Sequence, residues 1–291
     1  MIKLYIIGNG FDKSHKLPTG YDDFHQFIKD KYTDLENLFE EYFQLKTNEE
    51  YLWSDFENDL ETFNWRSFYN EKNNLDVLDE NFRPSFTFGL EDELRQETEE
   101  LVDEIKEAFE NWLNQIDLEQ TDKKIDFETY AIFLNFNYTM TLEEVYKIPS
   151  KRIFHIHGDI NNTPDSLIFG HNKELEEEPE IDENGDSNRT MFTDSQNAAK
   201  YPFYAFQKPV NDIIFENKTF FESLRDIEEV VIWGHSLNQI DIPYFKEIIK
   251  QTKESITWKV GFHKKEEKET HQKTLQKLGI NRNRIKPFKT N

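Results

Sequence analysis

The stretch Lys3-Leu4-Tyr5-Ile6-Ile7-Gly8-Asn9-Gly10-Phe11-Asp12 decides the fold class. Its apolar residues fall on both parities of the chain, so a strand here is buried on both faces, and a glycine ends it. Strands of that kind sit inside parallel sheets covered by helices on either side. Outward from it, strand-like runs return at 130–136, 152–157, 166–169, 229–233 and 256–262, with helical patterns near 139–147, 211–226, 241–251 and 264–278. This alternation predicts an α/β fold around a parallel sheet.

Between the first run and the rest the chain reads as helix. Phe24, Phe27, Ile28, Leu35, Leu38, Phe39, Tyr42 and Phe43 recur at helical spacing, and Leu94, Leu101, Ile105, Phe109 and Trp112 form a second stripe backed by ten acids in 91–110. Ser54 and Glu57 match a capping box beside Trp53, and Thr19-Gly20-Tyr21-Asp22 starts the long helix. Residues 21–120 are therefore expected to form a mainly helical insertion or cap on a core built from 1–20 and 121–291. The stretch 174–186 holds eight acids and no base, and reads as a mobile loop with too little apolar surface to order itself.

Composition narrows the function. The 291 residues carry 35 Lys and Arg against 58 Asp and Glu, a net charge of −23 that repels phosphate backbones and disfavours nucleic-acid binding. The charge is uneven, since 246–291 holds 13 Lys or Arg against 5 acids, a pattern that fits a solvated helix face and a terminal strand. The absence of Cys removes disulfides, thiol catalysis and thiolate metal sites. No apolar run approaches the ~18 residues of a membrane helix, so a cytoplasmic protein without a membrane partner is expected. The 26 Phe, 12 Tyr and 5 Trp supply a core or, on the helical insertion, contacts within a homo-oligomer or with a partner protein.

Polar residues gather at the strand ends. The turn Gly8-Asn9-Gly10-Phe11-Asp12 can bring backbone N–H groups to a phosphate, or it simply connects strand to helix. Lys13 stands where a dinucleotide fingerprint wants a third glycine. Asn135-Phe136-Asn137-Tyr138-Thr139 sets two amides on one strand face at the carboxyl edge, where open α/β folds hold ligands, and Asn137 either orients a water or carboxamide or caps the next helix. In His155-Ile156-His157-Gly158-Asp159 the period of two points both imidazoles one way. They serve as a general base near neutrality, as part of a metal-dependent hydrolase with Asp159 and His171 or His235, or only in packing. Gly234-His235-Ser236-Leu237-Asn238 resembles a nucleophile elbow without its closing glycine. Gly234 and Ser236 can instead meet a ribose or phosphate, while Asp241 meets a ribose hydroxyl or caps the helix at Ile242-Pro243.

Taken in order, Ile6-Ile7-Gly8-Asn9-Gly10-Phe11-Asp12 with Leu17-Pro18-Thr19-Gly20-Tyr21-Asp22-Asp23-Phe24, Trp53-Ser54-Asp55 with Glu57 and Leu60, Phe136-Asn137-Tyr138-Thr139 with Thr141-Leu142-Glu143, His155-Ile156-His157-Gly158 and Gly234-His235-Ser236-Leu237 make a pattern. With it the chain resembles the AbiH family of bacterial abortive-infection proteins from residue 4 to about 250. AbiH-like proteins are similar in turn to the sirtuin-type NAD-binding fold. The resemblance implies a Rossmann-like, sirtuin-like sheet in an anti-phage effector that binds NAD and hydrolyses its nicotinamide–ribose bond, released by a phage-derived trigger. It implies catalytic roles for Asn137 and His157, NAD contacts from Gly8, Asn9, Gly10, Phe11, Asp12, Tyr138, Gly234, Ser236 and Asp241, no metal, and no cofactor beyond NAD itself. Thr139 departs from the Asp of the sirtuin-like motif, which keeps a non-catalytic sensor of a nucleotide or phage component as the alternative. The sirtuin zinc ribbon is missing with the cysteines, which argues against protein deacylation.

Overall fold

The computed structural model describes residues 2–46, 53, 55–161, 167–176 and 179–290. Its sheet contains β1 (Lys3–Ile7), β2 (Ile132–Asn135), β3 (Ile153–His155), β4 (Glu229–Trp233), β5 (Thr257–Phe262) and β6 (Ile285–Lys289), all parallel, in the order β3-β2-β1-β4-β5-β6. This is the doubly wound order of a Rossmann-like fold, and the winding reverses between β1 and β4. The first apolar run is the central strand that its double-sided pattern predicts. Leu4 and Ile6 pack on one face with Leu134, Val230, Ile232 and Phe245, while Tyr5 and Ile7 pack on the other with Phe11, Phe133 and Tyr146. Burying each such Leu or Ile contributes about 1.5–3 kcal/mol, so both faces hold the strand in place.

The register levels the strand ends. Ile7 lies opposite Asn135 and Trp233, and Asn135 lies opposite His155, so four carboxyl ends open onto one edge. The terminal strand is β6, at the sheet margin, where Pro287 costs no central ladder bond.

By its internal contacts the chain forms two units, one of 1–23, 110–168 and 209–291, the other of 24–109 and 169–208. The first holds the whole sheet. The second takes up most of the expected insertion 21–120, but it also includes 169–208, which the sequence places in the core. Aromatic packing is the reason: Phe169 stacks on Phe109 at 4.2 Å between ring centroids and meets Phe206 at 5.5 Å. The same packing displaces the strand expected at 166–169. Residue 166 lies outside the described residues, and 167–169 make no strand.

Within the second unit, Trp53 stacks on Phe56 at 5.3 Å and on His25 at 4.3 Å, an anchoring role, while Ser54 of the expected capping box lies outside the described residues. Residues 177–178 of the acidic stretch are likewise outside. The stretch expected to be mobile ends in a local turn, because the Asp182 carboxylate accepts the N–H groups of Asn184 and Asp186, each at 2.8 Å. Among the described residues no helix is long and apolar enough to cross a membrane.

Candidate active site

The two glycine turns that follow β1 and β4 meet at the point where the winding reverses, and they interlock. Gly8 N–H donates to the Trp233 carbonyl at 3.0 Å, Gly10 N–H to the Gly234 carbonyl at 2.8 Å, and Phe11 N–H to the Gly8 carbonyl at 2.8 Å. A side chain at Gly10 would put Cβ 2.8 Å from Gly234 Cα, and one at Gly234, where φ is +70°, would put it 2.1 Å from Phe11 N. Close approach of two backbones is thus one use of these glycines. It leaves the Gly8, Gly10 and Phe11 amides already paired. Gly10 and Ser236 remain exposed at this edge, and Asn9 donates its side-chain amide to the Thr19 carbonyl.

Next to this knot, β2 ends at Asn135 and the chain turns. The Asn135 amide oxygen accepts Asn137 N–H at 3.1 Å, and Asn137 Nδ2 donates to the Gly8 carbonyl at 3.3 Å. The two amides therefore do not continue along one strand face; the first orders the turn and the second reaches the glycine knot. Asn137 Oδ1 and Asp12 Oδ1 are buried without a hydrogen-bonding partner among the described residues. Thr139 donates its hydroxyl to Asp12 Oδ2 at 2.5 Å and lies 3.0 Å from the Thr141 hydroxyl. A carboxylate at 139 would face the Asp12 carboxyl in a buried place, so threonine here matches its partner. Burial pushes Asp12 up to about 6, against hydrogen bonds from Thr139, Thr141 and Asn137 and the nearby His155 that pull it down.

The two histidines of the third motif part company. His155, the last residue of β3, places Nε2 2.9 Å from Glu143 and Nδ1 3.1 Å from the Asn137 carbonyl. Burial alone would lower this imidazole, but the hydrogen bond and charge of Glu143, with Asp159 and the Asn137 carbonyl, outweigh it and hold His155 above the ordinary histidine range. His157 lies beyond the strand, in a turn. Its ring packs edge-on against Phe136 at 5.3 Å and against Tyr244 at 5.8 Å, with Tyr138 at 6.4 Å. The expectation that both rings point one way fails because the strand's period of two stops at His155.

Asp241 stands between His157 and a further histidine, His235. Its Oδ1 is 3.8 Å from His157 Nε2 and its Oδ2 is 3.3 Å from His235 Nε2. By position it is the N-cap of the helix Ile242–Gln251, yet its side chain makes no capping bond. Tyr138 donates its hydroxyl to the Ile168 carbonyl at 3.1 Å.

The edge therefore assembles Gly8, Gly10, Asn137, His157, Gly234 and Asp241, while Asp12 and Phe11 are buried and shape the turn. His235, Glu143 and Thr141 had no part in the expected site beyond His235 as a metal candidate. Only His235 carried a signal of its own, a polar residue just past a buried strand; Thr141 and Glu143 lie in the helical turn Thr141–Val145. No group of three His, Asp or Glu among the described residues is arranged to hold a metal ion. His171 is spent within the second unit, with Nε2 3.0 Å from the Phe203 carbonyl and Nδ1 accepting Lys173 N–H.

A family model described as bacteriophage abortive infection AbiH matches residues 4–262, most of the chain and every motif at this edge. No curated protein and no solved structure matches.

Proposed function

Because the chain belongs to the AbiH family of bacteriophage abortive-infection proteins, we propose that it acts in that defence as an NAD glycohydrolase, with its site at the carboxyl edge between β1 and β4. The observation that carries the reading is one juxtaposition. The Asn137 side-chain oxygen Oδ1, with its amide tied to the Gly8 carbonyl, and the His157 imidazole, faced by a carboxylate, flank the winding reversal where such sheets hold nucleotides.

In the reaction His157 takes a proton as one water O–H bond breaks, and the oxygen bonds to ribose C1′. The C1′–N bond breaks, its electron pair leaves with nicotinamide, and ADP-ribose is the second product. The proton then passes from His157 to solvent. Since nicotinamide leaves as a neutral base, the protein's work is to position the sugar and activate water. Asn137 orients that water or a ribose hydroxyl. With three turn amides already paired, diphosphate contact falls to the Ser236 hydroxyl and the Asn9 rim, and Gly10 and Gly234 let the anion come close. Tyr138 lies beside the His157 ring, and Asp12, whose charge would repel a phosphate, holds the turn through Thr139.

The test is NAD measured by mass spectrometry in cells during phage infection. Cells with the wild-type protein should lose NAD and release nicotinamide, and His157→Ala should cut the loss by roughly 10²-fold or more, the usual size of a general-base contribution. Asn137→Ala should act in the same direction. Blocked phage growth with NAD unchanged would overturn the reading. A second reading, a sensor that holds a nucleotide intact, draws on Thr139, which offers a hydroxyl committed to Asp12 and no carboxylate. Bound nucleotide without released nicotinamide in infected cells would identify it.

A further inference from the structure

The geometry around Asp241 points to a positioning residue: we infer that His235 anchors one oxygen of Asp241 so that the other faces the His157 imidazole that takes up the proton. This inference rests on the reading of His157 as the base of an NAD glycohydrolase.

Its first support is a fixed tautomer. His235 Nδ1 accepts Leu237 N–H at 2.9 Å, so the neutral ring carries its proton on Nε2. Nε2 lies 3.3 Å from Asp241 Oδ2. Leu237, whose N–H makes the Nδ1 contact, adopts φ +57°, a left-handed conformation that a branched side chain takes only at a cost.

The second support is what Asp241 does not do. A carboxylate at the N-cap of a helix ordinarily accepts an N–H of the first turn, and this one makes no such bond. Its Oδ1 lies 3.8 Å from His157 Nε2, an ion-pair distance once that ring is protonated. The third support is a shared wall. Phe136 packs edge-on against both imidazoles, at 4.3 Å from His235 and 5.3 Å from His157, and Phe245 closes on His235 at 5.2 Å. Apolar rings on that side strengthen the attraction between carboxylate and imidazolium. The other titratable groups near these residues are Tyr244 and Tyr138 beside His157, and His271, on the helix Lys265–Lys277, which burial, with a smaller share from the His235 charge, holds below the ordinary histidine range. The arrangement follows the logic of a base oriented by a carboxylate, with a second imidazole orienting the carboxylate in turn.

Long-range proton–nitrogen NMR of the full chain labelled in histidine tests this in the resting protein, with no NAD present. The wild type should show His235 as the Nε2–H tautomer. The midpoint of the His157 titration should fall by about one pH unit in Asp241→Asn, the effect of losing an opposite charge within ~4–6 Å. It should fall in His235→Leu as well, and return in His235→Gln, whose amide can still donate to Asp241. A His235 ring protonated on Nδ1, or a His157 midpoint unmoved by Asp241→Asn, overturns the inference, and the tautomer is read even where His235→Leu fails to fold. When nicotinamide release is followed, the acidic limb of its kcat/KM profile should move with the His157 midpoint. NMR coupling without NAD loss would sink the proposed reaction and spare the relay, whereas NAD loss without coupling would do the reverse.

Discussion

Asp12 shows how one residue can be chemically costly and structurally needed. Its carboxyl is pushed up to about 6 by burial, against roughly 3.9 in an unfolded chain. Between these values the folded state keeps a proton that the unfolded chain has lost, so its contribution is complete below pH 4 and is lost as pH rises through 6. Asp12→Asn keeps an acceptor for Thr139 and removes the charge. It should match the wild type near pH 4 and exceed it at pH 8 by up to about 3 kcal/mol, read from urea midpoints. An unchanged difference between the two pH values would contradict the burial argument. His155, held above its ordinary range mainly by Glu143 against the pull of burial, has the same sign: its contribution is full below about pH 6.5 and fades as pH rises through its folded value. His171, lowered to about 4 by burial, has the opposite sign, adding stability as pH rises from 4 to 6.5. At this scale Asn137 and His157 were legible as strand-end polar groups, and Asp241 as the start of a helix. Their partners were not, because which oxygen meets which imidazole depends on where β3 stops and how the chain turns after it.

Between elements, the knot joining the ends of β1 and β4 is the feature that places everything else. Gly234→Ala combines a left-handed backbone with a Cβ 2.1 Å from Phe11 N, and should cost roughly 3 kcal/mol or more, the strain of about 1–3 kcal/mol plus the clash. Gly279 also has a positive φ, +97°, but nothing lies within 4 Å of its would-be Cβ, so Gly279→Ala should cost only about 1 kcal/mol. Denaturant midpoints of the two variants isolate the interlock, and equal losses would deny it. The glycines could be read from the sequence as marks of a tight turn; that two turns far apart in the chain need each other's missing side chains could not. The expected strand at 166–169 failed for a related reason. Its apolar residues suited a sheet edge as well as an aromatic cluster, and the stack of Phe169 on Phe109 took them.

For the whole molecule, net charge sets the terms on which an anionic ligand arrives. At −23 the long-range field repels an anionic dinucleotide such as the proposed NAD. Raising ionic strength from 0.01 M to 0.15 M shortens the Debye length from about 30 Å to about 8 Å, so the association rate of NAD in stopped flow should rise with salt. A rate that falls with salt would show that cationic groups near the site dominate the approach. The α/β class, the central strand, the helices Tyr21–Lys31, Thr33–Tyr42 and Phe86–Leu113 and the four motif-bearing strand ends were determined by the sequence alone. Periodicity and burial on both faces are local properties of a chain. Tertiary structure alone decided that 169–208 packs with the helical unit, that the turn amides pair with each other, and that His235 and His157 share Asp241. Each of these is a choice among partners distant in sequence, made by packing and by the need to satisfy buried polar atoms, and no local pattern encodes it.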